Sequence, residues 1–190
     1  TCAKDGCVVV WNVAEAALHE GRRLEVSAEG SVRSVALAEQ VVAAAADDGK
    51  VTGWDLRSGA RAWSLEAHAD GAQSCAFKPS DASFILTAGA DRACKLWDLR
   101  SSSEPVRAFD QHHRTDARRR AMHHPAWLSS TAFAVGGEGS ERLAFYDATT
   151  GALTASLALG ADATAVARVD AATVAVATEA CDGVALHAVA

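Results

Sequence analysis

Apolar residues in this chain gather in short runs that glycine, proline, aspartate and serine interrupt at close intervals, and no long stretch keeps a helical spacing. The pattern is clearest between 72 and 100. Runs at 73–77, 84–88 and 93–98 are rich in aromatic and aliphatic residues; Pro79, Ser80 and Asp81 break the first pair, and Gly89 with Asp91 breaks the second. Short apolar runs bounded in this way predict strands joined by tight turns. One stretch points elsewhere by composition: "EQVVAAAADDG" at 39–49 is alanine-rich, and intrinsic propensity alone makes it helix. Its position in the chain overrides that preference. Residues 42–46 align with 86–90, the strand before the second turn, and small side chains there let neighbouring strands crowd together.

The runs themselves recur. "ILTAGADRACKLWDLR" at 85–100 ends on Trp97 and Asp98, and "DDGKVTGWDLR" at 47–57 carries Trp54 and Asp55 in the same slots 43 residues earlier. Another 43 residues back, "KDGCVVVWNV" places Trp11 there. Tyr146 of "GSERLAFYDATTG" follows Trp97 by 49 residues, and His187 of "CDGVALHAV" follows Tyr146 by 41. Repeats therefore end near 13, 57, 100, 149 and 190, and residues 1–190 read as a single array. A period of about 40 to 45 residues filled with short strands is that of a β-propeller blade rather than of a helical repeat.

At these residues the chain resembles the WD-repeat family of β-propellers. The family pattern has a Gly-His pair and then an aspartate six residues before Trp-Asp. Here Ala67 and His68 stand for Gly-His, Thr87 takes the usual hydroxyl position, and Asp91 precedes Trp97 by six. The resemblance implies that His68, Thr87, Asp91 and Trp97 form a buried hydrogen-bonded chain with a structural task, since buried polar groups must be paired and a satisfied network pins a blade's turns together. Other repeats depart from the pattern. Asp5 and Asp48 keep the spacing to Trp11 and Trp54, but Ala44 replaces the hydroxyl residue; the fourth repeat has Ser140 and Tyr146 for Asp and Trp, and the fifth has Cys181 and His187. The fold expected is all-β: about four and a half blades of four-stranded antiparallel sheets, beginning inside a third strand near Gly6 and stopping in another near Val189. At this period the array is expected to be part of a longer, seven-bladed propeller.

Composition narrows the chemistry. The 190 residues are 49% hydrophobic and 22% charged with a net charge of −6, which fits a globular chain and argues against general nucleic-acid affinity. No apolar run reaches the ~18 residues that cross a bilayer, so no membrane partner is expected. Cys2, Cys7, Cys75, Cys94 and Cys181 are odd in number with no CxxC pair, as in buried thiols of a reducing compartment, and the protein is expected inside the cell, in cytoplasm or nucleus. There is no G-x-S-x-G elbow, no P-loop and no H-E-x-x-H, and the glycines of "GGEGSE" at 136–141 align with a turn, so neither catalysis nor a cofactor is expected. In "HHRTDARRRAMHHP" at 112–125 the histidines come in adjacent pairs that point to opposite faces of a strand, so each pair offers at most one ligand and no metal is expected.

What remains is binding. Superposing 116–125 on 70–79 puts "RRRAM" at 118–122 on an innermost strand, and places Arg33, Gln73, Arg119 and Thr164 in one column at the rim of a channel. The resemblance implies that such residues touch a protein partner. Two further candidates end the W-D-x-R phrases, Arg57 and Arg100; residues 85–100 are similar to the box of WD-repeat substrate receptors of cullin-4 ubiquitin ligases, in which the arginine contacts the adaptor. The leading expectation is a non-catalytic scaffold for protein partners. The alternatives are that cullin-4 receptor and a ribonucleoprotein-associated propeller using Arg118, Arg119 and Arg120.

Overall fold

The computed structural model describes residues 1–14, 17–26, 30–101, 103–110, 123–137, 140–170, 173–179 and 184–188. Among these the secondary structure is seventeen antiparallel strands in five sheets. The first sheet holds β1 (Cys7–Ala14) and β2 (Ala17–Glu25). The second is β3 (Val32–Ala38), β4 (Val41–Ala46), β5 (Lys50–Asp55) and β6 (Arg61–Glu66). The third is β7 (Ala72–Lys78), β8 (Asp81–Gly89), β9 (Cys94–Asp98) and β10 (Arg107–Phe109). The fourth is β11 (His123–Trp127), β12 (Ala132–Gly137), β13 (Arg142–Asp147) and β14 (Leu153–Ala158), and the fifth is β15 (Ala163–Arg168), β16 (Thr173–Thr178) and β17 (Val184–Ala188).

Within each sheet the strands follow chain order, and β3, β7, β11 and β15 adjoin one another in turn. The second to fifth sheets therefore each run outward from a first strand at a common axis, the first sheet holds a third and fourth strand, and successive sheets stand side by side as the blades of a propeller. The strand period of two gives each blade two apolar faces. Ala43, Ala45 and Val51 face the third blade, where they meet Cys75, Ile85 and Trp97. The alternate residues Val42, Ala44 and Trp54 face the first blade and meet Val8 and Leu24. Between the third and fourth blades Leu86 and Leu96 meet Phe109, Trp127, Phe133 and Tyr146.

The alanine stretch is strand β4, and Ala43 to Ala46 have no solvent exposure at all. Helix propensity is outweighed because an alanine helix would bury little, whereas alanines on a central strand let two neighbouring sheets close on it from both sides. Trp54, Trp97 and Tyr146 are all buried on third strands. Trp11 holds the same slot on β1 but is 41% exposed, since no sheet lies against its face among the described residues.

One register differs from the expectation. Trp127 pairs with Phe133 and Pro125 with Val135 in the fourth blade, as Phe77 pairs with Ile85 and Cys75 with Thr87 in the third. Pro125 thus falls in the slot of Cys75, not of Pro79, and the innermost strand is His123–Trp127 rather than 118–122. Burial of Trp127 decides this: its ring packs on Phe133 and its indole N–H donates to the Ala76 carbonyl at 3.2 Å. The longer spacing of this repeat accordingly lies before the strand. Arg118, Arg119 and Arg120 lie outside the described residues, as do His112, His113 and Cys181.

Phe133, fully buried among three aromatic neighbours, should be the costliest single truncation. Phe133→Ala is expected to lower the unfolding free energy by about 3–5 kcal/mol, read from urea midpoints, while Leu37→Ala at an exposed position should change it by under ~0.5 kcal/mol.

Candidate functional site

The repeated aspartate has a local cause. Asp5, Asp48 and Asp91 each accept a backbone N–H two residues on, from Cys7, Lys50 and Ala93 at 3.1, 3.0 and 3.2 Å, closing the turn before the third strand. In the fourth repeat Ser140 does this work differently. Its hydroxyl donates to the Gly137 carbonyl at 2.7 Å, accepts the Gly137 N–H and is nearly sealed from solvent. The aspartate closing the third strand recurs too. Asp55 accepts the Ser58 N–H, Asp98 that of Arg100, and Asp147 those of Thr149 and Thr150.

In the third blade the first aspartate is joined to a buried chain. The His68 ring lies 2.8 Å from Asp91 Oδ1 through Nδ1 and 2.8 Å from Thr87 Oγ1 through Nε2, and the Trp97 indole N–H donates to the same hydroxyl at 3.0 Å. A carboxylate only accepts, so Nδ1 carries the proton; neutral Nε2 then accepts the Thr87 O–H, whose oxygen receives the Trp97 N–H. Lys95 completes the set, its Nζ donating to the Ala67 carbonyl at 2.7 Å and to Asp91 at 3.3 Å. Burial pushes the Asp91 carboxyl upward, but the hydrogen bond from His68, the Ala93 N–H and the Lys95 ammonium outweigh it and hold its pKa at about 2.

The chain also demands a glycine. A Cβ on Gly89 would stand 2.3 Å from the His68 ring and 2.7 Å from Asp91. In the second blade, where no histidine is present, Ala46 fills that paired position. The same loop reaches the second blade, since the Ala67 and His68 N–H groups both donate to the Gly49 carbonyl at 3.0 Å. Gly49, at φ +87°, leaves no room for a side chain there.

Because His68 and Asp91 meet, the turns before first and third strands share one face, here the upper. Third strands run downward from it, so Arg57 and Arg100 lie on the lower face in adjacent blades. Arg33, Gln73 and Thr164 share a geometry that spacing alone could not show. Each is the extra residue of a bulge at the start of an innermost strand, where the pairing shifts between Val32 and Ser34, Ala72 and Ser74, and Ala163 and Ala165. A bulge re-aims a side chain, but the three outcomes differ. Thr164 is exposed, Arg33 makes a bidentate ion pair with Asp47 at 2.7 Å, and Gln73 is only 5% exposed. Lower down, Arg57 is exposed. Arg100 is exposed too, yet folds back onto Asp98 in a bidentate pair at 2.7–2.8 Å and stands 5.3 Å from the centre of the Phe84 ring. That pairing, with the Arg100 N–H, draws the Asp98 carboxyl below its ordinary value.

Nothing in this set resembles a reaction centre. The thiols of Cys75 and Cys94 are pushed up by burial, Cys75 to about 12, so neither is a nucleophile at neutral pH. Among the described residues no three histidine, cysteine or acidic side chains gather in a metal-binding group.

Comparison with known proteins agrees with this geometry. The WD domain, G-beta repeat family matches residues 59–98, the repeat that holds the complete polar chain. Human EARP and GARP complex-interacting protein 1 is 33% identical over 70 residues, 36% of this chain and 18% of that protein. The WD repeat-containing protein ATCSA-1 of Arabidopsis thaliana is 33% identical over 81 residues, 43% of this chain and 18% of its own length. The matches thus span under a fifth of these relatives. In fold, a chain of the mitotic checkpoint complex crystal structure superposes with a TM-score of 0.79 at 19% identity over 96% of this chain and 56% of its own. The computationally designed Ika4 protein does so at 0.71 and 16% identity, over 88% of this chain and 96% of its own. Residues 59–98 thus carry a WD repeat, and the described residues fold as the blades of a β-propeller.

Two outcomes follow from the polar chain. His68→Ala should cost about 1–3 kcal/mol, read from thermal and urea midpoints, because it removes the buried ring that pairs Thr87 with Asp91. Asp91 titrates lower folded, at about 2, than unfolded, at about 3.9, so its contribution is present above pH ~4 and lost as pH falls toward 2. Urea midpoints from pH 5 to pH 2 should therefore fall more steeply for the wild type than for Asp91→Asn, by on the order of 2 kcal/mol across the window. Parallel profiles would remove Asp91 from the network's energetics.

Proposed function

We propose that this protein is a non-catalytic scaffold that presents the two faces of a propeller to protein partners. The observation that carries the reading is the fate of its polar side chains. Those that could do acid–base work, His68, Asp91 and Thr87, are consumed in pairing one blade's turns, which leaves exposed loops and strand ends as the parts free to vary. The relatives named as complex-interacting proteins support it from outside the chain. The test is purification of the full-length protein from its own cells, with mass measurement of the intact assembly. A stoichiometric complex is expected, and a protein that runs alone at its own mass would overturn the reading.

A narrower reading, receptor for a cullin-4 adaptor, draws on one observation: the W-D-x-R arginines Arg57 and Arg100 sit on the same face in adjacent blades and both reach solvent. Under it, Arg57→Ala with Arg100→Ala should abolish capture of the adaptor while shifting thermal stability by less than ~1 kcal/mol, because exposed ion pairs contribute little. Undiminished capture by the double variant would remove the arginines from the contact.

A further inference from the structure

Arginine gathers at one turn of the lower face, the link between the third and outer strands of the second blade at 55–61. Arg57 lies in the turn itself, and Arg61 opens β6, paired across the sheet with Trp54; both are exposed. Cross-strand partners share a face, so Arg61 stands on the side of the blade that Trp54 turns toward the first blade. From that first blade Arg22, exposed as well, reaches over to the same turn. It donates to the Leu56 carbonyl at 3.3 Å, and a Cβ on Gly59 would stand 2.0 Å from it. Gly59, at φ +74°, is what leaves the guanidinium its room.

Other cations of the chain are held by carboxylates. Arg23, Arg33, Lys50, Lys95 and Arg100 each stand within 2.7–3.3 Å of one, and Arg107 gives both terminal nitrogens to the carbonyls of Thr149 and Thr150 at 2.8 Å. Among the described residues, Arg22, Arg57 and Arg61 have no ion-pair partner. The carboxylate in their turn, Asp55, gives its Oδ1 to the Ser58 N–H and hydroxyl at 2.7 and 3.1 Å, so it screens Arg57 without pairing with it. Three guanidinium groups set against one carboxylate leave this turn cationic in a chain of net charge −6. Arg22 spends one N–H on Leu56, and the remaining donors of its fork stay available. Beside the turn, between the two blades, lies a cleft of about 350 Å³ lined by Val10, Gly21, Arg22, Gln40 and Leu56. Its wall is apolar at Val10 and Leu56, and Gln40 brings to it a carboxamide with no side-chain partner among the described residues.

We propose that this turn and cleft bind a phosphorylated segment of a protein partner, the phosphate taken by Arg57, Arg61 and the unused donors of Arg22, and an adjacent apolar residue seated against Val10 and Leu56. The proposal rests on the scaffold reading and names its partner's chemistry. Guanidinium suits phosphate because its planar fork donates two parallel hydrogen bonds to a pair of oxygens, and a phosphate near its dianionic form accepts several such forks where one carboxylate is filled by a single one. Its charge also matches the surplus at the turn. The rest of the lower face speaks against an anionic membrane as the source of that phosphate. At the next junction Arg100 is closed on Asp98, and the groove there is edged by Glu39 and Asp81. A flat anionic surface would meet those carboxylates, whereas a single phosphate on an extended segment reaches the arginines alone.

The probe is a capped pentapeptide with phosphoserine between two leucines and a glycine at each end. Titrated into the isotope-labelled protein, it should give saturable amide shifts at 21–23, 40 and 55–61. The same peptide without phosphate, or with glutamate in place of phosphoserine, should bind at least about tenfold more weakly, as loss of charged hydrogen bonds would. Arg57→Gln with Arg61→Gln, which leaves the Arg22 contact between the blades in place, should weaken the phosphopeptide by a similar factor, and added salt should act in the same direction. Arg100→Gln, at an arginine already closed on Asp98, should leave binding unchanged. Inorganic phosphate alone should bind more weakly than the peptide, and phosphatidylcholine vesicles carrying phosphatidylinositol phosphate should not sediment the protein. Absent shifts, shifts that map to another turn, equal binding of the glutamate peptide or of inorganic phosphate, indifference to the arginine pair, or sedimentation with the vesicles would each overturn the proposal. None of those outcomes touches the scaffold reading, which falls only if the full-length protein forms no stoichiometric complex.

Discussion

A four-stranded sheet with two apolar faces cannot leave either to water, and the rest of this structure follows from how the faces are covered. Each blade offers aliphatic residues to the next and receives an aromatic from it: Ala43 and Ala45 pack with Trp97, and Leu86 and Ala88 with Phe133 and Tyr146. Burial at these junctions is the main favourable contribution, at about 25 cal/mol per Å² of apolar surface. Because each face is read by a neighbour, the side chains of a blade cannot vary independently. Trp63 requires Gly53, and His68 requires Gly89.

Polar groups finish what burial begins. A buried sheet edge must still pair its turns, and the chain solves this blade by blade: a histidine-centred relay in the third, an aspartate in the second, a serine in the fourth. The approach loop that carries His68 is also tied to the second blade through Gly49. Polar residues spent in this way are unavailable for chemistry. The lower junctions obey a parallel logic, with Arg22 and Arg107 satisfying turn carbonyls that the strand ladder cannot reach.

Much of this was legible from the residues. The 43-residue recurrence of Trp-Asp placed the third strands, and the six-residue offset of Asp48 and Asp91 placed the turns before them, because an aspartate capping an N–H two residues on needs a constant spacing to the strand that follows. The alanine strand was legible only through the repeat, since its composition alone favours a helix. The fourth inner strand was not. Its expected position came from matching prolines, Pro125 with Pro79, whereas the register is set by where Trp127 can be buried, and that depends on Phe133 and Phe109 across the sheet and the junction.

The sequence by itself determined the all-β repeat, its period, and the identity of the polar chain in the third blade, because each follows from local patterns that a strand or turn imposes on its own residues. Only the tertiary structure decided which candidate contact residues are available. Arg33, Gln73 and Thr164 occupy equivalent bulges, yet the first is exposed but paired with Asp47, the second is buried, and the third is exposed. The arginine contacts between blades were equally invisible in the chain. Arg22, Trp63 and Arg107 become equivalent only once the outer strands are in register, and what each does depends on the turn of the neighbouring blade.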